Sequence, residues 1–330
     1  MAVLVTGGAG YIGSHMVVEL MESGIETVVF DNLSTGNRRA VLCNKFYKGD
    51  IRNSDDLNKV FNEEKIDSVI HFAASSLVGE SVAEPLKYYS NNVCGTSVLL
   101  NAMIRHNVKN IVFSSTAAVY GEAETMPITE NTPINPKSPY GETKLAMERM
   151  IDWVSKVSEI NYISLRYFNA CGANKNGEIG EWRAKETHLI PLILQYVMGL
   201  RNSLKVFGDD YDTPDGTCIR DYVHVVDLVK AHTAALKYLE SGGKSDIINL
   251  GIGNGFSVLE IIKAAEKVVG KEIPYTIAGR RAGDPAVLIA SNTKAKEVLS
   301  WDCKIKDPVK IIEDAWKFYL KHPNGYNKSS

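Results

Sequence analysis

No run of residues in this 330-residue chain is long and apolar enough to span a bilayer, and neither internal repeats nor low-complexity tracts occur. Excess charge of either sign is missing too. The net charge is only −2, so neither a nucleic acid nor a membrane surface is the expected partner, although a local basic site for a phosphorylated ligand stays open. Cysteine is sparse: Cys43, Cys94, Cys171, Cys218 and Cys303 are scattered, odd in number and include no C-x-x-C pair, which suits a reducing compartment. The chain begins on a short apolar strand rather than on a basic segment followed by a long apolar run, and the expectation is a cytoplasmic protein. What is present is core-forming material. With 45% hydrophobic and 23% charged residues, the chain can bury a large core and form two lobes.

The first lobe announces itself at once. Ala2 to Thr6 is a β-branched run that passes into Gly7-Gly8-Ala9-Gly10-Tyr11-Ile12-Gly13 and then into an apolar-periodic stretch from His15 to Met21, the order strand, glycine turn, helix. Gly7, Gly10 and Gly13 allow a tight turn and the approach of a pyrophosphate to a helix N-terminus. A second strand, Thr27 to Phe30, ends at Asp31, about 20 residues on, where an acid bonds ribose hydroxyls and favours NAD over NADP. Arg38 and Arg39 lie near enough to offer a 2′-phosphate contact, but they follow a turn and read as solvated surface. Further α/β units follow: Phe46 and Tyr47 before Asp50, a helix over Asp55–Glu64, and the strand Ser68–Phe72 ending in Ala73. This alternation predicts a doubly wound parallel sheet, with Asp50, Phe72 and Ala73 on its ligand-binding edge and His71 packed in the core. Pro85 to His106 reads as one long helix carrying Asn91, and Asn110–Ser114 as the next strand.

Ser138-Pro139-Tyr140-Gly141-Glu142-Thr143-Lys144 then starts a helix, with Ser138 as N-cap, Pro139 as its first residue, and Tyr140 and Lys144 one turn apart. With 15 tyrosines in the chain, about one such spacing arises by chance, so the pair alone reads as an ordinary helix surface. Its setting changes that. A strand ending in Ser114-Ser115-Thr116 offers a hydroxyl to both the phenol and a substrate hydroxyl. A phenol used as base near neutral pH must be lowered by roughly three units, about 4 kcal/mol, which a nearby ammonium and a cofactor cation could supply.

Through T-G-G-A-G-Y-I-G, Asp31, Asp50, H-F-A-A, S-S-T and Y-G-E-T-K, in that order, the chain resembles the extended short-chain dehydrogenase/reductase family. Dehydratases of the family carry an acid pair after the strand-end hydroxyl, whereas here stand Ala117, Ala118 and Val119. Across nearly its whole length the sequence resembles the nucleotide-sugar C4-epimerase branch, through V-G-E-S-V, R-Y-F-N, Gly180-Glu181, V-F-G-D-D-Y, G-T-C-I-R-D-Y-V-H-V and R-R-A-G-D. The resemblance implies a Rossmann NAD-binding domain over residues 1–170 and a smaller mixed α/β substrate domain over 171–330, some of whose segments return to the first. It implies tightly bound NAD, no metal, a UDP-hexose substrate and a homodimer paired through the 85–106 and Tyr140 helices. It makes Tyr140, Lys144 and Thr116 catalytic. It assigns cofactor contacts to Gly7, Gly10, Tyr11, Ile12, Gly13, Asp31, Asn32, Asp50, Ile51, Phe72, Ala73, Asn91, Tyr140, Lys144 and Tyr167, and substrate contacts to Thr116, Asn169, Leu189, Phe207, Arg220, Arg281, Asp284 and Leu288.

The implied reaction is reversible inversion at C4 of UDP-galactose or UDP-glucose through a 4-keto sugar. Arg220 and Arg281 suit a diphosphate because two guanidiniums bond it bidentately. Their competing use is as ion pairs with the neighbouring Asp221 and Asp284. The chain departs from the family's pattern at two positions. Ser76 stands where many members have a lysine near the cofactor phosphates, so weaker NAD retention is expected. Leu288 stands where some have tyrosine beside the sugar C2 substituent, so room for UDP-N-acetylglucosamine is expected; its competing role is as an apolar strand residue. A UDP-uronic acid epimerase, a net reductase and a non-catalytic cofactor sensor or scaffold are the alternatives, the last disfavoured because tyrosine and lysine are both kept. After residue 171 irregular Gly- and Asp-rich loops set in, with helices expected at Asp227–Tyr238 and Val258–Val269 and a disordered Lys-Ser-Ser end.

Overall fold

Side chains alternate along a strand, so in β1 (Ala2–Thr6) Val3 and Val5 face one way and Leu4 the other, yet all three are fully buried. A strand covered on both faces belongs inside a parallel sheet with helices on each side. The computed structural model, which describes residues 1–281 and 284–326, shows that arrangement. β1 is joined by β2 (Glu26–Asp31), β3 (Lys45–Lys48), β4 (Ser68–His71), β5 (Asn110–Ser114) and β6 (Asn161–Tyr167). The intervening helices are α1 (Tyr11–Glu22), α2 (Ser54–Glu63), α3 (Val78–Ala83), α4 (Pro85–Tyr88), α5 (Gly95–Arg105) and α6 (Pro139–Val157).

The second half contributes β7 (Asn169–Cys171), α7 (Leu189–Val197), β8 (Lys205–Phe207), β9 (Ile219–Arg220), β10 (Tyr222–His224), α8 (Val225–Glu240) and β11 (Asp246–Leu250). It continues with β12 (Phe256–Ser257), α9 (Val258–Val269), β13 (Thr276–Ala278), β14 (Val287–Leu288), α10 (Thr293–Leu299) and α11 (Pro308–Lys321). The main sheet has seven strands in the order β11-β6-β5-β4-β1-β2-β3, all parallel. The order reverses between β1 and β4, which opens a crevice at their carboxyl ends. Val3, Val5, Ile70 and Ile163 share one core with Met16 and Leu20 of α1 and Leu228 and Leu236 of α8. Leu4, Val69 and Phe113 share the opposite core with Leu57 of α2, Leu99 of α5 and Ile151 of α6. The remaining small sheets and α7, α9 and α11 surround a third core built on Ile193, Tyr222, Ile261, Ile311 and Phe318.

One expectation changes in detail. The segment 85–106 is helical but not one regular α-helix: Tyr89–Cys94 widens into a π-helical turn between α4 and α5. The wider turn carries Asn92 inward, where its amide takes the Ser75 N–H at 2.8 Å and donates to the Ser75 carbonyl and to Thr143 Oγ1, both at 3.1 Å. Past residue 171 the chain returns to the first sheet, since β11 pairs with β6 and α8 covers the sheet beside α1. Ala282 and Gly283 of R-R-A-G-D, and the Lys-Ser-Ser end, lie outside the described residues. His71 is a core residue: it bonds Thr6 at 2.6 Å and Thr96 at 3.0 Å, and burial lowers its pKa to about 3.

Candidate active site

The glycine turn is shaped for something pressed against its backbone. Gly7 lies at φ 74°, and a Cβ there would fall 2.6 Å from the Ala73 nitrogen. A Cβ on Gly13 would strike the Gly7 carbonyl oxygen, so α1 packs onto the turn only because that atom is missing. The Gly10 N–H donates to the Gly7 carbonyl at 3.1 Å, and the turn delivers Tyr11 and Ile12 at the start of α1. At the end of β2, Asp31 accepts the N–H groups of Ala9 at 3.0 Å and Leu33 at 2.7 Å. Burial raises its pKa and those two bonds lower it. Each carboxylate oxygen keeps a lone pair for a ribose hydroxyl.

Neither nearby arginine is spare. Arg38 donates to the Val41 carbonyl at 3.1 Å and lies over Phe46, and Arg39 donates to the Tyr326 carbonyl at 2.9 Å. Asp50 is gripped by Arg52 at 2.9 and 2.6 Å and takes a bond from Asn32 at 3.2 Å, which together hold its carboxyl well below its ordinary range. Ile51 is buried beside it, and Phe72 and Ala73 follow β4 directly. The Asn91 side chain donates to Asn92 at 3.0 Å, so this edge of the crevice is fixed by a residue that sequence reasoning passed over. Tyr11 has a second use, its hydroxyl donating to the Gly172 carbonyl at 2.7 Å and so linking the cofactor turn to the second half. A Cβ-free turn at a helix start, with an acid closing the second strand, fits a dinucleotide.

Along the same edge, α6 begins as its sequence requires. Ser138 Oγ accepts the Gly141 N–H at 3.2 Å and Pro139 occupies the first turn. Tyr140 is half-buried; Lys144 and Thr116 are buried. Burial raises the Tyr140 phenol, while a hydrogen bond with Thr116 and the positive charge of Arg183 lower it. Lys144 Nζ donates to the Ser114 carbonyl at 2.7 Å and lies 4.9 Å from the centre of the Phe113 ring. Burial lowers the Lys144 ammonium to about 7, against the raising charge of Glu148. The expected direct lowering of the phenol by this lysine is therefore muted in the protein alone, because an amine that titrates near 7 is neutral before a raised phenol gives up its proton. Tyr167 bonds Ser114 through its hydroxyl at 2.6 Å.

Of the residues expected to meet a substrate, Asn169, Phe207, Arg220 and Leu288 lie on the small sheets. Arg220 donates to Asp284 at 3.0 Å and to the Ile219 carbonyl at 2.9 Å. Arg281 lies over the Phe207 ring at 4.2 Å. The neighbour pairing expected from sequence is thus replaced: Asp221 is buried, accepts the N–H groups of Ile252 and Ala290, and is pushed up by burial to about 7. β14 pairs with β9, placing Leu288 opposite Arg220. Leu288 and Phe168 pack against a core cluster that includes Ala117 and Leu145, the sequence neighbours of Thr116 and Lys144. The Asn169 N–H donates to the Asp221 carbonyl at 3.2 Å, and Leu189 opens α7.

Sequence reasoning gave no role to the loop before α7. Buried Glu181 accepts from Arg183 at 3.0 Å and from His188 at 2.7 Å, and its charge raises the His188 pKa. Glu181, Glu186 and His188 bring donor atoms within 4.8 Å of one another. Arg183 already supplies a cation to that carboxylate, and its charge also lowers the Tyr140 phenol. No local pattern in the sequence marks Arg183.

A family model described as "NAD dependent epimerase/dehydratase family" matches residues 3–251. A UDP-glucose 4-epimerase of Halalkalibacterium halodurans is 53% identical over 327 residues, 99% of this chain and 98% of that protein. A crystal structure of a UDP-glucose 4-epimerase superposes with a TM-score of 0.98 at 54% identity, covering 99% of this chain and 100% of the other. The UDP-glucose 4-epimerase of Bifidobacterium longum, solved with NAD+ and UDP, superposes with a TM-score of 0.92 at 42% identity, over 99% and 100% of the two chains.

Proposed function

The chain belongs to the NAD-dependent epimerase/dehydratase family, and on that premise we propose that it interconverts UDP-galactose and UDP-glucose by inversion at C4 through a 4-keto sugar, with NAD as cofactor. The observation that carries this reading is a likeness to UDP-glucose 4-epimerases running from end to end of the chain.

NAD, when bound, supplies a hydride acceptor and donor for the sugar C4. Gly7, Gly10 and Gly13 admit its pyrophosphate, Asp31 takes its ribose hydroxyls, and Tyr167 and Ser114 line the approach to Lys144. Tyr140 is the base: its phenolate takes the C4 hydroxyl proton directly or through Thr116 and returns it to O4 once the sugar has presented its other face. Thr116 Oγ1 accepts the Ala118 N–H at 3.1 Å, which leaves its own hydrogen free to donate to the phenolate. A hydrogen bond with Thr116 and the charge of Arg183 offset the burial that raises the phenol. Arg220 and Arg281 hold the diphosphate. Binding energy is thereby placed on the nucleotide, and the hexose is free to present its second face.

The division of labour is residues 1–170 for NAD and 171–330 for the UDP-sugar, with β11 and α8 lent back to the first sheet. Leu288, half-buried and shorter than tyrosine, favours room for a C2 N-acetyl group. Homodimerisation through α4, α5 and α6 is supported by exposed Leu86, Trp153 and Val157 at 82%, 67% and 86%. Five free cysteines, four of them buried, suit a cytoplasmic setting, and no described helix is long and apolar enough to cross a membrane. Tyr140→Phe tests the base: epimerisation should be lost while UDP binding stays within about twofold, and retained turnover would place the base elsewhere.

A further inference from the structure

Arg166 opens the R-Y-F-N motif, yet neither cofactor nor substrate claims it. It is 2% exposed and forms a two-pronged pair with equally buried Glu148, Nε to Oε1 at 2.8 Å and Nη2 to Oε2 at 2.5 Å. The Ser115 hydroxyl donates to the same carboxylate. At the other end Arg166 Nη1 meets the Tyr120 hydroxyl at 2.9 Å, and that hydroxyl donates to Asn249 at 2.7 Å. Ser115 and Tyr120 flank Thr116 and the turn that it caps. Glu148 lies one turn beyond Lys144 on α6, continuing the face that carries Tyr140. One ion pair therefore touches the helix of Tyr140 and Lys144, both flanks of Thr116, and the strand that delivers Tyr167.

Stability alone is a weak reason for such a pair, because apolar residues of the same volume would avoid its desolvation cost. We propose that Glu148 and Arg166 are positioning residues for the reaction centre, setting the mutual placement of Thr116, Tyr140 and Lys144; this rests on the C4-epimerase reading above. Glu148 has a second, electrostatic share in the role. Among the described residues, Glu148 on its own helix and His71 on β4 act on the charge of Lys144, Tyr140 lies one turn back on α6, Tyr167 reaches it through Ser114, whose carbonyl Lys144 bonds, and Arg166 reaches it through Glu148. Of these, Glu148 is the one carboxylate, and it favours the ammonium that a phenolate needs beside it.

Glu148→Gln, Glu148→Asp and the double variant Glu148→Met/Arg166→Met are compared with the wild-type enzyme. Glu148→Gln should lower kcat by roughly ten- to a hundredfold, with KM for UDP-galactose within about twofold. The alkaline limb of its kcat profile should move to lower pH, because Lys144 loses its proton earlier without the carboxylate. Glu148→Asp should move the limb back toward wild type. In a 13C NMR titration of the lysine side chains referenced to Lys144→Met, the Lys144 ammonium of Glu148→Gln should lose its proton at lower pH than in wild type. The double methionine variant keeps the test decisive should the single variant fold poorly: it should melt at or above wild type and remain slow. A folded double variant with wild-type kcat and pH profile would overturn the proposal. So would a Glu148→Gln protein whose activity falls only with its folded fraction while the limb stays put. A wild-type protein inactive on UDP-galactose would count against the functional reading instead, and the Lys144 titration would still decide this one, an unmoved titration overturning it.

Discussion

Replacing Arg220 by lysine keeps the positive charge and removes the planar fork. In the structure this guanidinium spans Asp284, the Ile219 carbonyl and, at 3.5 Å, the Ala286 carbonyl, with its side chain 10% exposed. An ammonium cannot reach that set and a diphosphate at once, so Arg220→Lys should lose one of two charge-assisted bonds to the ligand. A hydrogen bond to a charged group contributes about 1.5–3 kcal/mol, so UDP should bind roughly ten- to a hundredfold more weakly. Calorimetric titration of UDP and UDP-glucose reads this directly, and a thermal melt on the same samples shows that the site still folds. kcat should fall much less than affinity, because the diphosphate is held equally in ground and transition states. A folded Arg220→Lys protein that binds UDP within twofold of wild type would refute the clamp and return Arg220 to a purely structural partnership with Asp284.

Other outcomes follow from single positions. Leu288→Tyr should depress turnover of UDP-N-acetylglucosamine at least tenfold more than that of UDP-galactose, as filling the space beside the C2 substituent by a rigid ring would; equal losses on both sugars would sink the gate role. Ser76 is exposed beside the crevice, and Ser76→Lys should slow the loss of NAD on dilution by a few-fold, the scale of one solvent-exposed charge contact; an unchanged rate would show that retention is set elsewhere.

Much of this arrangement was legible in the sequence because it is written locally. The Gly7–Gly13 turn, Asp31 at the end of β2, and the Ser138 cap of α6 each depend on neighbours a few residues away, and each reads correctly from its own stretch. The π-helical turn at Tyr89–Cys94 was not legible, since it is fixed by Asn92 reaching Ser75 and Thr143 on distant segments. The arginine partners were exchanged for a similar reason: Asp284 is 64 residues from Arg220 in sequence yet adjoins it, because β14 folds beside β9. The charge of Arg183 acts on Tyr140 only through the path of an irregular loop. Glu148 did leave a trace, four residues past Lys144 on the same helical face, but its partner Arg166 lies on another strand.

The most direct measurement incubates purified protein with UDP-galactose and no added nicotinamide nucleotide, following UDP-glucose by chromatography, with Tyr140→Phe alongside. Epimerisation by a retained cofactor predicts that UDP-glucose accumulates to equilibrium in the wild type and not in the variant. No UDP-glucose, or turnover that depends absolutely on added NAD, would contradict it.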